Sequence, residues 1–138
     1  MKCRIQIVLF IFGLLVANQA MCSQTGLDQP TNQVKAVTMK WVELLDNGAL
    51  PGMSAKDHGN VNVYQLTDAM EKLLLEKKTI ETNMLNDVKN YSRNDCYVAG
   101  VTTTDDRSFT YFFYVANGSV ELLSAYRYDS NAWVRIRK

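Results

Sequence analysis

One histidine, three cysteines and two prolines are all that 138 residues supply of these types, and each scarcity removes a class of chemistry. His58 stands alone in the loop "GALPGMSAKDHGN". With no second histidine and no matching carboxylate pattern, it reads as a solvated loop residue rather than a general base or metal ligand. The cysteines, at positions 3, 22 and 96, have no metal-ligand spacing. Gly-rich phosphate loops and Ser–His–Asp arrangements are missing too. The expectation is a protein with no catalytic residues, no metal and no cofactor. Charge of one sign is also lacking: 15 basic residues face 14 acidic ones. That balance gives no electrostatic reason to expect nucleic acid or an anionic membrane as partner.

The first residues are more informative. Lys2 and Arg4 form a basic start, and Ile7 to Ala17 is an almost unbroken apolar run. A spanning helix needs roughly 20 such residues, so the run has signal-peptide length. The expectation is residues 1–22 as a signal peptide, with cleavage between residues 20 and 23, and 23–138 as one domain. The mature protein would be periplasmic or secreted, with no membrane association after cleavage. Cys22 is preceded by Met21 and Gln19, which does not fit a lipid-attachment signal. If cleavage follows Ala20, Cys22 and Cys96 both survive and can pair as a disulfide in an oxidising compartment. Otherwise Cys96 opens the apolar run "CYVAGV" as a buried thiol.

The mature stretch divides into helical and extended parts. Val34, Val37, Trp41, Leu44 and Leu45 recur at helical spacing, predicting a helix from about Pro30 to Asn47 that Gly48 stops. Leu66, Met70, Leu73 and Leu74 predict a second helix, starting at Asn62 or Thr67 and ending near Lys78, with Asn62 and Gln65 as a capping box. Ile80 to Tyr91 reads as an irregular edge strand or ribbon. From Asp95 onward, "CYVAGVTTT", "SFTYFFYVA", "VELLSAYRY" and "AWVRIRK" are strands separated by turn chemistry.

Asn117-Gly118 suits a two-residue hairpin turn, since both central positions need positive φ. That turn would pair Phe109 with Tyr126, Tyr111 with Ser124, Phe113 with Leu122 and Val115 with Val120 on one face. The other face would carry Thr110–Ala125, Phe112–Leu123 and Tyr114–Glu121. The first is denser and should meet the helices; the second is mixed, and such a surface usually has an occupant. Its anchors would be Phe112, Tyr114 and Leu123. Tyr111 and Tyr126 are further candidates for orienting a ligand, and Trp41 for lining a pocket, though a tryptophan on an apolar stripe is first of all core.

The fold class expected is α+β: two N-terminal helices packed on a curved, four-to-five-stranded antiparallel meander. "MKWVELLDNG", "FYVANGSVELLSAYRYD" and "DSNAWVRIRK" resemble the first helix, penultimate hairpin and closing strand of small exported bacterial members of the nuclear transport factor two-like superfamily, the cystatin-like cone. That superfamily includes enzymes, ligand binders, dimerisation modules, secretion-machine components and immunity proteins, so the resemblance implies a fold rather than a function. The functional expectation is an exported interaction module whose mixed sheet face meets another protein or a second copy, as a dimer or as a component or immunity partner of a secretion system. The alternative is a protein that encloses a small apolar ligand or, further off, a cone-fold enzyme. Asn90-Tyr91-Ser92 and Asn117-Gly118-Ser119 are glycosylation tripeptides, relevant only in a eukaryotic secretory path.

Overall fold

The computed structural model describes residues 31–57 and 59–137. The expectations for the signal peptide, Cys22, its disulfide and His58 lie outside these residues. The elements run in the order helix α1 (Asn32–Asp46), strand β1 (Asn60–Gln65), helix α2 (Asp68–Glu76), then strands β2 (Cys96–Thr102), β3 (Ser108–Ala116), β4 (Ser119–Asp129) and β5 (Ala132–Arg137). The strands form one antiparallel sheet in the order β1-β2-β3-β4-β5. The architecture is α+β.

Helix α1 is capped by Thr31, whose hydroxyl accepts from the Val34 amide at 3.1 Å. Val37, Trp41 and Leu45 form its buried stripe. They pack on one sheet face, formed by Val61, Val63, Tyr97, Ala99, Val101, Phe109, Tyr111, Phe113, Val115 and Ala125. Leu50 and Met53 from the following loop complete this cluster. The Trp41 and Tyr111 rings meet edge to face at 5.1 Å, a geometry that aromatic quadrupoles favour.

Helix α2 lies on the opposite face. Thr67 caps it by accepting from the Met70 amide at 3.2 Å, and Asp68 and Glu71 sit in its first turn, where the helix dipole favours acids. Leu74 of α2, with Leu66, Ile80, Met84 and Val88, covers Cys96, Val98, Phe112 and Tyr126. The two helices therefore do not both precede the sheet. Between them runs β1, where the spacing of Asn62 and Gln65 predicts a helix start. In "NVNVYQ" Val61 and Val63 alternate inward with Asn62 and Tyr64, and that period of two overrides the capping-box pattern at Asn62.

Two further expectations change. Residues from Ile80 to Tyr91 are not an edge strand: Thr82–Asp87 is a 3-10 segment. It places Met84, and Val88 just beyond it, over the second sheet face. The hairpin register also slips. The turn at Asn117-Gly118 forms as expected, with φ of +51° and +79°, and Val115–Val120 and Phe113–Leu122 pair. Beyond Phe113 a β-bulge intervenes, so that Phe112 faces Ser124, Tyr111 faces Ala125 and Thr110 faces Tyr126. One extra residue in a strand reverses the facing of everything after it. Tyr126 consequently lies on the second face beside Phe112, with ring centroids 6.1 Å apart, and not beside Phe109.

Candidate functional site

The second sheet face is only partly covered. Helix α2 stops at its C-cap Lys77, and the chain turns back at Lys78 with φ of +58°. The Lys77, Lys78 and Thr79 amides bond back to the carbonyls of Leu73, Leu75 and Leu74, closing the helix end without glycine. This turn crosses the sheet and is tied to it at two points. The Thr110 hydroxyl donates to the Thr79 carbonyl at 2.9 Å, and the Trp133 indole donates to the Lys78 carbonyl at 3.1 Å. Beyond these ties the face opens into a cleft of about 400 Å³.

Strand alternation selects its floor. Asn62 of β1, Gly100 and Thr102 of β2, and Ser108 and Thr110 of β3 line the cleft. These positions are consecutive across the ladder: Asn62 faces Gly100, Gly100 faces Thr110, and Thr102 faces Ser108. Gly100 gives the floor its depth, because a Cβ there would meet only the Thr79 methyl, at 3.5 Å. The walls are aromatic: Tyr64 on one side, Tyr128 and Trp133 on the other. Tyr128 and Trp133 are ladder partners, placed opposite each other by the tight turn at Ser130 and Asn131, with φ of +52° and +69°. Their rings meet edge to face at 5.2 Å. Lys77 and Lys78 form the lip, and among the described residues no carboxylate lines the cleft. Burial raises the Tyr64 phenol above its ordinary value, so its hydroxyl stays neutral and able both to donate and to accept near neutral pH.

The residues singled out from sequence lie elsewhere. Phe112 is fully buried in the second core cluster, where α2 and the 3-10 segment cover it; as a core residue it is not available as an exposed anchor. Tyr114 and Leu123 are half-buried and pack against the same cluster, with the Tyr114 ring 4.6 Å from that of Tyr91. Trp41 and Tyr111 are core on the first face, and the Tyr111 hydroxyl donates to the Pro51 carbonyl at 2.8 Å. Tyr126 donates to Asp87, which also pairs with Arg135, while the Arg135 guanidinium lies over the Tyr126 ring at 5.5 Å. This trio fastens the 3-10 segment to β4 and β5. Cys96 is fully buried, and burial pushes its thiol up to about 11, which removes nucleophilic character near neutral pH.

Of the residues named for the mixed face, only Thr110 borders the cleft, and it is fully buried beneath the Thr79 carbonyl. Gly100, Lys77, Lys78, Tyr128 and Trp133 are site residues that no sequence motif marks. The one signal that points to them is the glycine inside an otherwise apolar strand, which often marks close approach of a ligand or of backbone.

A second polar cluster has a structural reading. Arg107 bridges Asp105 and Asp57, and Asp57 accepts from the Ser54 amide and hydroxyl at 3.0 and 2.9 Å. The Ser54 bonds, reinforced by Arg107, hold the Asp57 carboxyl below its ordinary value. These charges satisfy one another while joining the loop after α1 to the β2–β3 turn. Among the described residues no group of three or more His, Cys, Asp or Glu side chains could hold a metal ion. No described helix is long and apolar enough to cross a membrane. No family model matches the chain, and no curated protein or solved structure matches it.

Proposed function

We propose that this is a non-catalytic binding protein that takes a small polar ligand into the cleft on the second sheet face. One observation carries the reading. A helix covers half of that face and then stops, leaving three aromatic rings around a row of amide and hydroxyl groups. The cleft's volume of about 400 Å³ lies within the range of about 300–1,000 Å³ found for small-ligand sites, and its open, polar lining suits a polar ligand. The polar floor speaks against the purely apolar ligand considered from sequence. The burial of Phe112 moves the interaction surface away from the patch expected on the mixed hairpin face. Export to the periplasm or medium remains part of the proposal, on the basic start and apolar run of residues 2–17. So does kinship with the nuclear transport factor two-like superfamily, supported by a long first helix and a closing meander.

The test is a fragment screen read by amide and indole NMR. Binding fragments should shift Gly100, Thr110 and the Trp133 indole together. Fragments that cluster instead on α1 or on the Asn117-Gly118 turn would overturn the proposal.

A further inference from the structure

The lining of the cleft also narrows the chemistry of its ligand, an inference that rests on reading the cleft as the binding site. Three features bear on it. The walls are flat rings of Tyr64, Tyr128 and Trp133, and the last is fixed in place by its bond to the Lys78 carbonyl. Flat rings of this kind offer apolar faces to a ligand that is itself ring-shaped. Across the floor, Asn62, Thr102 and Ser108 present amide and hydroxyl groups, while the Thr110 hydroxyl is buried and spent on the Thr79 carbonyl. Such groups both donate and accept, as a ligand bearing several hydroxyls requires. At the lip stand Lys77 and Lys78 with no acid among the described lining residues, so a ligand with negative charge is favoured over a neutral or cationic one.

The kind of anion follows from the backbone. Phosphate sites are typically built from helix N-termini or glycine-rich loops, whose amides point at the oxygens. Here the helix end beside the cleft is a C-terminus, and its Lys77, Lys78 and Thr79 amides are turned back into the helix. The backbone offers no phosphate cradle. Without such a cradle the anion contacts left are the lysine ammonium groups, flexible point charges that suit a single carboxylate.

We infer that the cleft binds an acidic saccharide: the aromatic walls hold a sugar ring, the floor bonds its hydroxyls, and Lys77 and Lys78 pair with its carboxylate. The test is calorimetric titration of the full chain with trigalacturonate and with sialyllactose, each against its uncharged counterpart, the methyl ester of the first and lactose for the second. At least one acid should bind tenfold or more tightly than its counterpart, and added salt should narrow the gap. K77Q/K78Q should lose most of that preference while retaining ring binding, and G100V, which fills the floor, should abolish binding of every sugar. Circular dichroism of both variants establishes that they are folded. An uncharged sugar binding as tightly as its acid, or neither acid binding, would overturn the saccharide inference. If G100V abolishes that uncharged sugar's binding, the cleft itself still stands as the site. Sugar binding untouched by G100V would instead overturn the placement of the site in the cleft.

Discussion

The two halves of the second sheet face share strands but not surroundings. On one half, Val98, Phe112 and Tyr126 lie beneath Leu74, Ile80, Met84 and Val88, and every ring is held by neighbours from its own chain. On the other half, Gly100 and Tyr128 occupy the next same-facing positions of β2 and β4, Thr110 of β3 is the last residue covered, and the covering chain turns away at Thr79. The residue types change at that line. Apolar side chains give way to glycine, threonine and serine, and the remaining aromatics move from the floor to the walls. On the proposed function, the open half takes a ligand with both flat and polar parts.

Removing a covered residue should disturb this contrast most. F112A should destabilise the protein by about 3–5 kcal/mol, the range for a large aromatic deleted from a packed core. Urea unfolding measures it, and a loss below about 1 kcal/mol would mean that this half is not core. D87A should have a smaller effect. It leaves Tyr126 and Arg135 without their shared acceptor, but Arg135 is 37% exposed and water can replace the partner. About 1–2 kcal/mol is expected by the same assay.

Alkali should also act first on the covered half. Cys96 is raised by burial from 9.0 to about 11, and the Tyr126 phenol is raised chiefly by burial as well. A raised value in the folded state means that the neutral form is the one stabilised by folding. That contribution is complete below the unfolded value and is lost as pH climbs through the folded one. Thermal midpoints should therefore hold up to about pH 9 and fall between pH 9 and 11, and C96A should flatten part of that fall. A profile unchanged by C96A would place the thiol in water. The smallest effect belongs to the open half. G100A should leave stability unchanged or raise it by about 0.5–1 kcal/mol, because its Cβ meets one methyl at ordinary contact distance and the unfolded chain loses freedom.

Much of the scaffold is readable from residue order. The stripe Val37–Trp41–Leu45, the Thr67 cap and the Asn117-Gly118 turn each combine local preference with pattern, and each forms. The features that pattern does not reveal have a common physical cause. In Leu122-Leu123 two adjacent apolar residues satisfy either register, so nothing local announces the bulge that carries Tyr126 to the other face. Met84 and Val88 fit helical spacing and a ribbon alike, and only packing on the sheet decides for a 3-10 segment. Lys77 and Lys78 read as the solvated end of a helix, because the strands that turn that end into the lip of a cleft lie far away in sequence. The cleft is a tertiary feature assembled from five strands and a helix terminus, and single-strand patterns do not contain it.

Whether the open half is the binding half can be read from amide hydrogen exchange with and without a saturating amount of whichever of trigalacturonate and sialyllactose binds more tightly. Exchange should slow in peptides spanning residues 77–79, 100–110 and 128–133, with α1 and the 3-10 segment unchanged. Slowing centred on α1 or on the covered half, or no slowing at a saccharide concentration where calorimetry shows saturation, would refute the assignment of the cleft as the site.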